Sequence, residues 1–154
     1  MPSGEQYLAI RADVNISISD AYIMLGDGLS AFAAVNDADR LLDRANPREK
    51  QDTAWKWMAG QAMILRAASV MYAKPSLTEQ ELLQAKQLLA QVKQSMNLPE
   101  IHYFLGIVNL RLGMRQQAYE EFEVFLSSGD DVFTFRSRLT MRERANQWLK
   151  EAPR

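Results

Sequence analysis

The single histidine of this sequence, His102, stands two residues after Glu100. That spacing turns the two side chains toward different faces of a helix. Helical metal sites draw ligands from i, i+3 or i, i+4 pairs, and one imidazole cannot build a His-rich zinc or di-iron centre. No metal is therefore expected, and His102 reads as a packing residue. Carboxylates gather at Asp37, Asp39 and Asp43, and again at Glu120, Glu121 and Glu123. The first group lacks the glycine and the closing glutamate of a calcium loop. The second surrounds Phe122 as the wet face of a helix would, and neither has a neighbour that would separate an acid from a base. Gly26-Asp27-Gly28 offers glycines but neither the preceding strand nor the Gly-Lys-Ser/Thr of a phosphate loop. No Gly-x-Ser-x-Gly nucleophile turn is present. With no cysteine in the chain, thiolate catalysis, disulfides and Cys-ligated metals drop out. The expectation is a protein that is not an enzyme and uses no cofactor.

Charge excludes further classes. Eighteen Lys and Arg stand against 19 Asp and Glu, a net charge of −1 that supplies no field to gather nucleic acid. Arg136, Arg138, Arg142 and Arg144 form the strongest local charge cluster, but Asp131 and Glu143 interleave with it, so it reads as a solvated face. Arg66 interrupts the most apolar stretch, Met58 to Ala73, before it reaches the roughly 18 residues of a spanning helix. No membrane insertion is expected. The first six residues carry no basic region followed by an apolar one, so they are not a secretory signal. A soluble, cytoplasmic protein is the expectation, or a periplasmic one where a signal or anchor has been removed.

The elements that must position these residues are helices. Tyr7, Val14, Ala21, Gly28 and Val35, interleaved with Ile18, Leu25 and Phe32, recur at coiled-coil spacing and share one face. The amino-terminal third is therefore one long helix or two consecutive ones. Val14 to Ile18 also alternates as a strand would, but nothing is available to pair with it. Asn36-Asp37 reads as a turn, Leu41-Leu42 as the apolar face of a short helix, and Asn46-Pro47 as its end. A long helix follows from about Arg48 to Tyr72, closed by Lys74-Pro75. Thr78 and Glu81 form a capping box, and Leu82, Leu83, Ala85, Leu88, Leu89 and Val92 the buried stripe of the helix it opens. Pro99 suits a first helical turn, Leu112-Gly113 a tight turn between helices, and Ser128-Gly129 a stop. Asp130 or Asp131 would cap a last helix ending near Glu151.

A repeat underlies this order. Tyr22-x-x-Leu25-Gly26, with Ala38 twelve residues after the glycine, has the spacing of His102-x-x-Leu105-Gly106 with Ala118. Leu42 and Phe122 each stand four further on, and Gly60 lies 34 residues after Gly26. A small residue lets antiparallel helices approach, while the alanine and the bulky residue interdigitate across the hairpin. Residues 99 to 129, with Tyr103, Leu105-Gly106, Leu112-Gly113, Ala118-Tyr119 and Phe122, resemble a tetratricopeptide repeat (TPR). The likeness covers about residues 19 to 150. His102 replaces the family's usual aromatic, Asp130 stands where a proline would close the repeat, and Gly60 to Gly106 is twelve residues longer than the period.

The resemblance implies an all-α fold of stacked antiparallel hairpins in a right-handed superhelix, one domain over residues 1–154. Within it, 1–47 would form an irregular first hairpin, 48–98 a second with an insertion, 99–129 the best repeat, and 130–154 a capping helix containing Trp148-Leu149. It also implies a concave groove for a peptide or helix of another protein, as in adaptors, assembly factors and chaperone-like scaffolds. That groove would be lined by Trp57, Gln61 and Ile64, and by Tyr103, Ile107, Leu110 and Arg111. The residues themselves offer a competing expectation, a homodimer through the face carrying Tyr7, Val14, Ile18, Ala21, Leu25 and Phe32, with Arg11 at its rim. Eight methionines and runs of alanine leave open a third, a small-molecule or lipid pocket between helices.

Overall fold

The computed structural model describes residues 4–44, 52–129 and 135–152, and in these the backbone forms seven helices and no strand. The chain divides into two compact units, Met1–Ala73 and Lys74–Arg154, and within each unit consecutive helices pack against each other as hairpins would.

In the first unit α1 (Gly4–Met24), α2 (Gly28–Asp43) and α3 (Thr53–Met71) each touch the other two. Val14 to Ile18 is helical, since the interior offers a helix partner and not a strand edge. The break between α1 and α2 is made at Gly26, whose φ of 78° reverses the chain at little cost to a residue without a side chain. Asp27 then starts α2 by accepting the Ser30 N–H at 3.0 Å. From there α2 runs unbroken through Asn36-Asp37, which is not the turn the sequence suggested. Ala31, Ala34, Val35, Ala38, Leu41 and Leu42 keep helical spacing across it, while Asp37 sits on the wet face and pairs with Arg40 at 3.2 Å. Asp52 caps α3, and the expected ends at Asn46-Pro47 and Arg48 lie outside the described residues.

Small residues set how closely these helices approach. Ala12, Ala31, Ala38, Ala62 and Ala68 are fully buried, and the Ser19 hydroxyl donates to the Ala31 carbonyl at 2.7 Å across the hairpin. Gly28 marks the tightest point. Its N–H donates to the Tyr72 carbonyl at 2.9 Å, satisfying a donor that a helix start leaves orphaned. The Ser69 oxygen and the Tyr72 and Ala73 backbone stand where a Cβ would go. Gly28 and Val35 thus belong to the interior of this unit and not to the outward seam suggested by their spacing.

The second unit comprises α4 (Glu79–Ser95), α5 (Pro99–Arg111), α6 (Arg115–Ser127) and α7 (Arg138–Lys150). The Thr78–Glu81 capping box opens α4 with both bonds at 3.2 Å. Only Leu82, Ala85 and Leu89 of its stripe are buried; Leu83 and Leu88 face outward. Pro99 occupies the first turn of α5, and Gly113, at φ 76°, turns the chain into α6. Nearly all of α5 is buried because α4, α6 and α7 pack around it. Gly106 faces the Phe122 ring, which fills the space a side chain would need. The expected cap at Asp130 or Asp131 lies outside the described residues. Helix α7 packs into the unit with Met141 and Ala145, while Trp148 is 40% exposed.

Overpacking at Gly28 meets main chain, which cannot rotate away. We expect Gly28→Ala to lower stability by about 1–3 kcal/mol, measured from the urea midpoint; an unchanged midpoint would show that α2 and α3 can separate at no cost.

Candidate interaction surfaces

The concave-face set divides between the units, with Trp57, Gln61 and Ile64 on α3 and Tyr103, Ile107, Leu110 and Arg111 on α5. Gln61, Ile64 and Tyr103 are buried, at 7%, 0% and 1% exposure, and have almost no area to offer a partner. The fold gives Tyr103 an inner role: its ring lies 5.3 Å from that of Phe104, 5.7 Å from Phe125 and 6.1 Å from Phe122. Trp57, Ile107 and Leu110 are half-buried, and Arg111 is exposed. The neighbouring Trp55 is buried, as expected of two tryptophans on different sides of one helix.

The self-association set is placed differently. Tyr7, Val14, Ile18 and Leu25 are 56%, 50%, 42% and 79% exposed, and Ala21 is also exposed. At 100° per residue Tyr7, Ile10, Val14, Ile18 and Ala21 fall within about 80° of arc on α1, and Leu25 follows in the turn just after it. Ile10 is 56% exposed and escaped the sequence reading, although it lies three residues after Tyr7 and four before Val14. The opposite side of α1 carries Ala12, Ile16, Ser19 and Ile23, which are buried against its own unit. Helix α1 therefore has two apolar faces and uses one of them internally. Phe32 is 40% exposed but stands apart from the strip, under the Arg66 guanidinium at 5.7 Å, and Arg66 also pairs with Asp39. Among the described residues one charged side chain borders the strip, that of Arg11, which lies 5.5 Å from the Tyr7 ring.

The buried titratable residues of the second unit join its helices to one another. His102 Nδ1 lies 2.6 Å from a Glu121 carboxylate oxygen and ties α5 to α6. Of the arginine cluster, Arg138 is 4% exposed rather than solvated. It reaches the Glu100 carboxylate at 3.4 Å and donates to the Ser128 hydroxyl at 2.9 Å and the Gly129 carbonyl at 2.7 Å. One guanidinium thus joins the starts of α5 and α7 to the end of α6, with its carbon 5.8 Å from the Phe125 ring centre. Local spacing holds little sign of this pair, because Glu100 and Arg138 stand 38 residues apart. Burial pushes the Tyr103 phenol above its ordinary value of 10.0, opposed by a hydrogen bond from Arg144 and by the charges of Arg144 and Arg111. Among the described residues no group of three or more His, Cys, Asp or Glu side chains is arranged to hold a metal ion, and no helix is long and apolar enough to cross a membrane.

No family model matches this chain, and neither a curated protein nor a solved structure matches it.

Removing the cation from a buried pair strands the carboxylate. Arg138→Met is expected to cost roughly 3–5 kcal/mol, most of it recovered in the Glu100→Gln/Arg138→Met double variant. A double variant no more stable than the single one would show that packing and not charge explains the loss. Tyr103 makes a pH prediction. Its folded value is raised, so its contribution is intact below pH 10 and declines as pH rises through the folded value. Tyr103→Phe keeps the ring and lacks the ionisation, so its stability should fall less steeply than wild type above pH 10. Parallel curves in denaturant titrations would rule this out.

Proposed function

We propose that this chain is a non-catalytic interaction protein of the TPR-like helical-repeat kind, which presents the outer face of α1 to another polypeptide. The second apolar face of that helix carries the reading. At the exposures above, Tyr7, Ile10, Val14, Ile18, Ala21 and Leu25 leave on the order of 500 Å² in one strip, near the top of the roughly 300–600 Å² typical of the largest patch on a monomer. Scattered apolar residues are common on protein surfaces, but a continuous helical stripe is a docking pattern. The repeat reading draws support from the α5–α6 hairpin, where Gly106, Ala118 and Phe122 interlock as the repeat spacing requires. Support for a non-catalytic role comes from the polar pairs: His102–Glu121 and Glu100–Arg138 bind helices to one another. A second reading, a groove on α5, keeps only its less buried edge at Ile107, Leu110 and Arg111.

A charge on an exposed interface position should leave the fold within about 0.5 kcal/mol of wild type and weaken binding roughly tenfold or more. Wild type and Val14→Glu would be compared in affinity purification, with the half-buried Ile107→Glu in parallel, all three matched in helicity by circular dichroism. The expected result is a polypeptide, a second copy of the chain included, that wild type retains and Val14→Glu loses. Loss on Ile107→Glu alone would move the site to α5, and identical sets from all three proteins would end the reading.

A further inference from the structure

We infer that the occupant of the α1 face is the same face of a second copy, the two helices running antiparallel about a two-fold axis near residue 16. The inference rests on the interaction reading above and names its partner. Area is the first argument. Two such strips bury on the order of 1,000 Å² between them, about what a specific interface requires. One strip against an arbitrary surface would bury less apolar area. An interface between identical chains must be self-complementary under its two-fold axis, and the α1 strip meets that condition except at Ile10, which faces the half-buried Tyr22 at its edge.

Register gives the second argument. With the axis at residue 16, each position meets the one whose number brings the sum to 32. Tyr7 then faces Leu25, Val14 faces Ile18, and the long Arg11 side chain faces Ala21, whose methyl group leaves it room. One register therefore pairs large with large at the ends, branched with branched at the centre, and the single charge with the smallest side chain. The 21 residues of α1 span roughly 31 Å, three heptads of contact.

Charge fixes the direction. The antiparallel arrangement separates the two Arg11 residues by ten positions, about 15 Å along the axis, beyond the ~8 Å screening length of physiological salt. A parallel pair would bring the two guanidinium groups side by side with no carboxylate on the strip between them. Like charges at such a seam disfavour that pairing.

Sedimentation across a concentration series should show the 17.6 kDa chain at twice its mass, and Val14→Glu should return it to monomer with a dissociation constant at least tenfold higher. Ile18→Asn serves as the second variant should Val14→Glu fail to fold. The cysteine-free chain permits an orientation test. Differently tagged Tyr7→Cys and Leu25→Cys chains, mixed and oxidised, should form a disulfide with each other and little with themselves. Abundant self-linking of Tyr7→Cys would overturn the antiparallel arrangement. A monomer at every concentration, or a dimer indifferent to α1 substitutions, would overturn the second-copy inference. If that monomer still retains another polypeptide and loses it on Val14→Glu, the interaction reading survives; if it retains none, both fall together.

Discussion

Helices in both units come together where a side chain is missing or small. At Gly28 the start of α2 lies against the main chain that ends α3, close enough for an N–H of one to reach a carbonyl of the other. At Gly106 the Phe122 ring occupies the volume a side chain would have claimed. Close approach lets short helices bury most of one face, and it allows α5 to be covered on nearly every side. A bulkier residue at either glycine would separate the helices along their length, because packed helices tilt or slide as rigid bodies. The remaining contacts, the aromatic cluster around Tyr103 included, presuppose that spacing.

The same constraint explains which parts of the fold were legible in the sequence. Features written within four residues of each other were read correctly: the Thr78–Glu81 capping box, Pro99 at a helix start, and the Leu112-Gly113 turn. Their chemistry is local and needs no knowledge of what packs nearby. Asn36-Asp37 misled because a polar pair resembles a turn whenever the helix carrying it has a wet side. The α4 stripe is narrower than its leucines suggest for a related reason. Leu83 and Leu88 are as apolar as Leu82 and Leu89, and only the position of the neighbouring helix decides which are covered.

Longer range was harder. Arg138 looked like one of four solvated arginines, and nothing near it in the chain points to Glu100, the two being brought together by the packing of α5, α6 and α7. Tyr103 is of a residue type that often dominates interfaces, but the same large ring can anchor a core. Three surrounding phenylalanines decide for the core. Gln61 and Ile64 share that outcome through burial. A groove carried over from a family pattern presumes that pattern's helix-to-helix geometry, and a position one turn away faces inward instead.

Helix α1 makes the complementary case, since its heptad spacing was visible from the start. Periodicity establishes that a stripe exists and says nothing about which of two stripes the chain will bury for itself. The structure assigns Ala12, Ile16 and Ile23 to the interior and leaves Tyr7, Ile10, Val14, Ile18 and Leu25 outside. Small residues again account for the choice. The inner stripe carries Ala12 and Ser19, which let α1 lie close to α2, and Ser19 secures the approach with a bond to a carbonyl of α2. The outer stripe is bulkier and carries an arginine, so it would hold α2 farther away and strand a charge in the core. An arginine on the outer stripe keeps its water there, which the interior would deny it.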